Sequence, residues 1–454
     1  MRTARLRRSF SRPKGGILIL AALMLIPLIG AVGLAVDSGR GYGVKAKLNA
    51  AVDAASIAAA RALVEGADDA ARIANARATG TRFFNANFPN GYFGATPQLG
   101  AIDAVHDPAN GRWTVTVNAT ADMPTTFMRV LGRNQLDVSA VGQTIRRDLD
   151  AMLILDTSGS LGPPTSSSST FPTLKSAAIN GFVGKFNPGA GGDRVGLVSF
   201  SSGAVLDQAI DKTSTRGFNK ATMTSRINAL TVGGATATAE GMRKALNDLN
   251  AVPAGVRSGL RVMLLFSDGA PNMVGANFQP YGGPALGDLY SETDSGAAPR
   301  RVWRNDSRDS LVGEFTITRL PATGLDITGV GAVPLASYNA RRSLGGAAPY
   351  SNTRCNVNKA ARNMVENVAN TARSQGVFVY TIGLGARLNS LEVDFCGYGA
   401  SEYGSALLKR LANTTDSDSR NASQPTGLYC FAATAADLDR CFSSIASEIL
   451  RLAM

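Results

Sequence analysis

Two stretches decide how this chain folds: LDAMLILDTSGS at 149–160 and LRVMLLFSDGAPN at 260–272. Each opens on an almost continuous apolar run, Ala151–Leu155 and Leu260–Phe266. Continuous rather than alternating apolar character is what a strand covered on both faces requires. Each run stops abruptly at a carboxylate among small polar residues, Asp156-Thr157-Ser158-Gly159-Ser160 and Ser267-Asp268-Gly269. Working outward, Lys175–Phe186 predicts an amphipathic helix, Arg194–Phe200 a second strand and Ala204–Ile210 an antiparallel edge strand. Ala237–Leu249 predicts another helix, Val377–Ile382 a fifth strand, and Ala435–Leu452 a last helix. Strands alternating with helices predict an α/β domain over 149–454, a doubly wound, Rossmann-like sheet with helices on both faces.

In such sheets ligands bind at the carboxyl ends of the strands. Both carboxylate loops lie there, and Gly233-Gly234-Ala235-Thr236-Ala237-Thr238 opens a helix between them. Two carboxylates and several hydroxyls, with no imidazole or thiolate, make a hard oxygen site suited to Mg²⁺ and tolerant of Ca²⁺ or Mn²⁺. Taken singly, Ser158 and Ser160 read as helix caps and Asp268 before glycine as turn chemistry. Their joint occurrence at two strand ends points to metal.

The four pieces DTSGS (156–160), DRVGLVSFS (193–201), the Gly-Gly helix opening and FSDGAPN (266–272) resemble the metal-ion-dependent adhesion site (MIDAS) of von Willebrand factor A domains. The resemblance implies Asp156, Ser158 and Ser160 as the first ligand loop, Thr236 as the second and Asp268 as the third. Ala235 leaves Thr238 as an alternative match to Thr236. It also implies a partner protein whose Asp or Glu completes the coordination. Between Asp268 and Cys355 lies a Gly/Pro-rich stretch of more than eighty residues with few helical patterns. A structureless loop of that length is uncommon, so the insertion at about 270–354 is expected to be a β-rich subdomain or a mobile binding element. A polar loop, Gly162-Pro163-Pro164-Thr165 and its serine run, flanks the same face.

The N-terminus has a different character. Arg2, Arg5, Arg7, Arg8, Arg12 and Lys14, in segment 1–16, precede an uncharged apolar run of twenty residues, Ile17–Val36. That length spans a bilayer's hydrocarbon core, and the basic flank keeps the N-terminus cytoplasmic with the rest exported. The run exceeds the roughly 7–15 apolar residues of a signal peptide, which favours a retained inner-membrane anchor, although Gly33-Leu34-Ala35 offers a small-residue cleavage site. From 37 to 65 an alanine-rich helix places Val44, Leu48, Val52, Ala55, Ala59 and Leu63 on one stripe. That stripe suits packing on another helix or on the chain's own downstream module.

KGGILILAALMLIPLIGAVGLAVDSGRGYGVKAKLNAAVDAASIAAARAL, at 14–63, is similar to the N-terminal segment of TadE/TadG-like proteins of the Flp (tight-adherence) pilus apparatus. The resemblance implies a role in pilus assembly or surface adherence beside other pilus components. Prepilin-type processing would need a glutamate where Ala21 follows Gly16, so the chain is closer to the larger TadG type. Residues 66–148 are expected to form a small α+β connecting module. In it Phe83, Phe84, Phe88, Tyr92 and Phe93 read as aromatics between turns, and Trp113–Thr120 and Leu136–Ile145 as strands. His106 reads as a surface or turn residue without a partner cluster.

The net charge is +12, but the only dense basic cluster is the N-terminal one, which excludes a nucleic-acid surface. Cys355, Cys396, Cys430 and Cys441 lack zinc-site spacing, and export favours two disulfides, with Cys430–Cys441 and Cys355–Cys396 the preferred pairing of three. A metal-dependent hydrolase or phosphatase would need a general acid or base beside the metal. The one histidine lies outside the main domain, and the first loop lacks the second carboxylate of a DxD site. A non-catalytic adhesion or assembly protein is therefore the expected function, with a scaffold carrying an idle metal site as the remaining rival.

Overall fold

The apolar run and the alanine-rich stretch after it form one helix, α1 (Gly16–Ala62). The computed structural model describes residues 16–63, 68–107, 111–189, 192–278, 285–290, 300–336, 342–344, 348–389 and 402–453. The chain divides into two units: Met1–Leu63 with Ile73–Val105 and Thr114–Thr144, and Val64–Arg72 with His106–Trp113 and Ile145–Met454.

In the first unit α1 changes environment along its length. Leu23, Met24, Leu28 and Val32 are bare, each more than half exposed. Among the described residues this is the one helix long and apolar enough to cross a membrane. From Val44 on, the whole predicted stripe of Val44, Leu48, Val52, Ala55, Ala59 and Leu63 is fully buried. It packs on the unit's own elements: α2 (Asp69–Asn87) and a sheet ordered β1 (Thr96–Asp107), β2 (Arg112–Pro124), β3 (Gln135–Arg147). Val115, Val117, Ala119, Ala121 and Met123 alternate inward from β2. Close approach needs small residues. A Cβ on Gly142 of β3 would lie 2.7 Å from the backbone of Val52, and one on Gly80 would lie 3.1 Å from Ala59. The reading of Phe83, Phe84 and Phe88 as turn aromatics is corrected here. α2 runs through Asn87 because Phe84 and Phe88, one helical turn apart, stack and bury on one face.

In the second unit β4 (Leu149–Asp156), β5 (Arg194–Phe200) and β7 (Leu260–Ser267) are buried at every residue. With β6 (Ala204–Gln208), β16 (Phe378–Leu384) and β17 (Tyr429–Ala432) they form one sheet ordered β17-β16-β7-β4-β5-β6. All its pairings are parallel except β5–β6. Alternate residues feed two cores. Met152, Ile154, Val198, Phe200, Met263 and Leu265 face α5 (Thr238–Asn250), α6 (Arg354–Ser374) and α7 (Gly404–Ala412). Leu153, Leu155, Leu197, Val262, Leu264 and Phe266 face α3 (Thr170–Ala177), α4 (Lys220–Asn228) and α8 (Leu438–Ala453). This is the doubly wound α/β domain that the apolar runs predict.

The helix expected over Lys175–Phe186 differs: α3 ends at Ala177 and continues as a wide π turn, Ala178–Phe182, then a 3-10 turn to Lys185. The wide turn brings Gly181 against α8, where a Cβ would lie 2.8 Å from Phe442. The insertion is β-rich in its described part. β8 (Val274–Phe278), β9 (Ala285–Tyr290), β10 (Arg300–Trp303) and β11 (Leu311–Phe315) make an antiparallel sheet. Short pairs follow, β12 (Arg319–Leu320) with β15 (Tyr350–Ser351) and β13 (Thr323–Ile327) with β14 (Gly331–Pro334). Val274, Ala276, Phe278, Leu289 and Val302 join the α5/α6 core, so the insertion shares the domain's apolar interior. Cys430 of β17 and Cys441 of α8 form a disulfide. Cys355 is disulfide-bonded, and its expected partner Cys396 lies outside the described residues.

Candidate functional site

β4 and β7 are parallel neighbours, so their carboxyl ends deliver Asp156 and Asp268 to the same edge of the sheet. Asp156 is the last residue of β4 and is fully buried. Its carboxylate accepts hydrogen bonds from the Ser158 backbone N–H (2.8 Å) and the Ser267 hydroxyl (2.7 Å). The Ser158 and Ser160 hydroxyls lie 3.0 Å apart, and Ser160 donates to Asp268 Oδ1 at 2.8 Å. One hydrogen-bonded chain of oxygens thus runs from the first loop to the third. Neither serine caps a helix with its side chain, so the simple capping alternative does not describe them.

The second loop is stitched to both. Gly233 N–H donates to Thr157 O (3.0 Å) and Gly159 N–H to Gly234 O (3.1 Å). Gly234 has φ +75°, and a Cβ there would collide with Ser202 Oγ at 2.4 Å, so the glycine is required twice over. Thr236, buried ahead of α5, donates its N–H to Asn272 Oδ1 (2.8 Å) and accepts from Asn272 N–H (3.1 Å). Thr238 is the first residue of α5, and its buried hydroxyl has no hydrogen-bond partner among the described residues.

The electrostatics are those of charge held without compensation. Burial, and next the facing charge of Asp268, push the Asp156 carboxyl from 3.8 up to about 7, against the hydrogen bonds from Ser158 and Ser267. Burial also raises the Asp268 carboxyl, while Ser160 and the guanidinium of Arg387 pull it down. Among the described residues no group of three or more His, Cys, Asp or Glu side chains is arranged so that it could hold a metal ion. The site is two carboxylates and a set of hydroxyls.

Several contributors escape sequence reasoning. Ser267 and Asn272 lie inside the quoted FSDGAPN, but nothing local says that one side chain holds Asp156 and the other pins Thr236. Arg387 follows β16, at the carboxyl end of β7's other neighbour. Asp309, from the insertion, accepts from Ser202 (2.7 Å), whose oxygen in turn accepts from Ala235 N–H (3.0 Å). The insertion therefore reaches the loop that carries Thr236. His106 is corrected as well. It lies in β1 with its ring stacked on Trp113 (4.4 Å), Nδ1 3.1 Å from Asp69 and Nε2 3.6 Å from Asp148.

Residues 150–282 match the family model of the von Willebrand factor type A domain, and residues 15–62 that of the Flp pilus-assembly TadE/G-like family. Similar solved structures include the vWF domain of the type V pili tip protein Mfa5 from Porphyromonas gingivalis (18% identity, 68% of this chain and 98% of that one, TM-score 0.38). The PilB minor pilin from Streptococcus sanguinis is 16% identical over 79% of each chain, with a TM-score of 0.40. The pilus adhesin SpaC from Lactobacillus rhamnosus GG, in its open conformation, is 16% identical over 78% of this chain and 34% of that one, with a TM-score of 0.37. No curated protein matches the chain.

Proposed function

We propose that this chain is a membrane-anchored, non-catalytic component of Flp-type pilus assembly or surface adhesion, whose A domain captures a partner's carboxylate through a divalent metal. The observation that carries the proposal is the chain of oxygens from Ser158 through Ser160 to Asp268, beside the buried carboxylate of Asp156. Such donors are hard, few in charge and fixed by backbone stitching, which suits Mg²⁺ and admits Ca²⁺ or Mn²⁺. Asp156, Ser158, Ser160, Thr236 and Asp268 would hold the ion. With several ligands neutral hydroxyls, the bound cation stays electrophilic enough to attract an incoming Asp or Glu. Burial, and next the charge of Asp268, raise the Asp156 carboxyl, and a bound cation would offset that cost.

Catalysis is disfavoured because hydrolysis needs a proton-transfer group beside the metal. The chain's one histidine is held by Trp113, Asp69 and Asp148 instead. The bare apolar part of α1 and the TadE/G-like match at 15–62 support a single-pass anchor, and the basic flank Arg2–Lys14 supports a cytoplasmic N-terminus with the bulk exported. Titration calorimetry of the detergent-solubilised chain with Mg²⁺ and Mn²⁺ tests the metal. Asp156→Ala should abolish binding and Ser158→Ala weaken it less. Equal binding by wild type and Asp156→Ala removes the metal from the proposal.

A further inference from the structure

The turn between β2 and β3 exposes apolar side chains where an ordinary loop would be polar. Val130 is 78% exposed, Leu131 60% and Phe127 39%. The turn is not free in space, because it lies along α1. A Cβ on Gly33 would overlap Phe127 at 2.4 Å, and one on Gly30 would lie 3.9 Å from the Leu131 methyl. Asp37, fully buried, accepts the backbone N–H groups of Thr126 (3.0 Å), Phe127 (2.9 Å) and Met128 (2.8 Å). Arg40, one turn further along, donates to Thr126 Oγ1 at 2.5 Å and to Phe93 O at 2.7 Å.

These contacts fix the height of the turn on the helix. Asp37 ends the uncharged run, and Gly30 lies seven residues nearer the cytoplasmic end, about 10 Å at the helical rise. A run of twenty residues spans about 30 Å, the thickness of the hydrocarbon core. If α1 crosses the bilayer over Ile17–Val36, Leu131 lies roughly a third of the way into it. From this we infer that the Phe127–Leu131 turn is a second membrane-inserted element, buried among the acyl chains of the outer leaflet beside α1.

The turn is built for that place. Irregular backbone survives in hydrocarbon only when its polar groups are satisfied internally. Beyond the three amides taken by Asp37, Val130 N–H reaches Phe127 O (3.1 Å), Gly132 N–H reaches Arg129 O (3.0 Å) and Arg133 N–H reaches Met128 O (3.1 Å). Arg129 and Arg133 are exposed on either side of the apolar pair, with stems long enough to carry a guanidinium up to headgroup phosphates. At the same height on α1, Leu28, Ile29 and Val32 are bare as well. Two apolar contacts with one leaflet would set the tilt and rotation of the anchor, which a lone helix leaves free.

The inference rests on α1 spanning the membrane, and the test separates the two. The full chain is reconstituted in phosphatidylcholine/phosphatidylglycerol vesicles that contain lipids nitroxide-labelled in the acyl chain. An environment-sensitive fluorophore is placed on Val130→Cys, Leu131→Cys, Leu25→Cys within the run, or Val105→Cys, an exposed residue of β1. Wild type, whose Cys355, Cys430 and Cys441 are disulfide-bonded, gives the labelling background. The labels at 130 and 131 should be quenched several-fold more than the label at 105, at a depth shallower than 25. Quenching at 25 but only background at 131 overturns the inserted turn and leaves the anchor. A label at 131 shielded from both lipid nitroxide and aqueous iodide assigns the turn to a protein partner and also overturns it. No quenching at 25 removes the span, and the inference with it.

Discussion

Replacing Asp156 with asparagine separates the charge of this residue from its shape. Without metal, burial and the Asp268 charge move its carboxyl from 3.8 to about 7. A folded-state value raised above the unfolded one costs nothing below pH 4, because both states are then protonated. The cost grows as pH rises and is complete above pH 7. At 1.36 kcal/mol per unit the gap corresponds to about 4 kcal/mol at pH 8, an upper figure because relaxation and water lower it. Asparagine keeps the geometry. Its carbonyl oxygen can accept from Ser158 N–H, and its amide can donate to Ser267 Oγ, whose own hydrogen turns to Gly269 O, already 3.1 Å away. Metal-free Asp156→Asn should therefore be the more stable protein at pH 8, by about 2–4 kcal/mol, and the gain should vanish near pH 4. Mg²⁺ should close most of that gap. At a hundred times its dissociation constant the ion stabilises wild type by about 2.7 kcal/mol and the variant hardly at all. Thermal unfolding of the full chain in detergent, with EDTA or Mg²⁺ at pH 4, 6 and 8, measures this. Coincident melting at pH 8 in EDTA would refute the stored charge, and an equal Mg²⁺ response would refute Asp156 as a ligand.

Three further outcomes are expected. Gly142→Ala should destabilise the first unit by about 1–3 kcal/mol, because its Cβ meets backbone atoms of Val52 that cannot rotate away; amide exchange of α1 beyond Val44 would report it. Cys430→Ser with Cys441→Ser should lower stability by about 2–4 kcal/mol, read from denaturant unfolding, since the bridge closes a loop of sequence separation 11. Burial lowers the His106 value, but the carboxylate of Asp148, 3.6 Å away, and then that of Asp69 outweigh it, so the net direction is upward. Its contribution is then complete below the unfolded value of 6.5 and is lost as pH rises through the folded one. Thermal scans from pH 5.5 to 8.5 should show that decline in wild type and a flatter profile in His106→Gln.

Much of the second unit is legible in the sequence because its information is local. Ala151–Leu155 is apolar without alternation and Leu260–Phe266 is so but for Arg261, the pattern of a strand covered on both faces. A carboxylate just after such a run must lie at the sheet's carboxyl edge, so position in the chain is enough to mark Asp156 and Asp268 as ligand candidates. The uncharged run and its basic flank mark a candidate membrane span in the same way, by length and charge alone. The alanine stripe of α1 is legible too, though not what covers it. A narrow apolar face fits a partner helix as well as the three-stranded sheet that buries it here.

What only the tertiary structure decides is which distant groups meet. Ser160 and Asp268 are 108 residues apart and share a hydrogen bond because β4 and β7 are parallel neighbours, a pairing no local pattern encodes. The same holds for Asn272 gripping Thr236, and for Asp309 of the insertion reaching Ser202. In the sequence Asp37 merely ends an apolar run, whereas in the fold its carboxylate carries three amides of a turn about ninety residues downstream. His106, the one histidine of the chain, reads as solitary until folding sets Trp113, Asp69 and Asp148 around it. Periodicity records which face of an element avoids water, and it does so within a few turns of chain. Hydrogen bonds and charges act over a few ångströms between groups that the chain brings together only by folding, so their partners are properties of the tertiary structure alone.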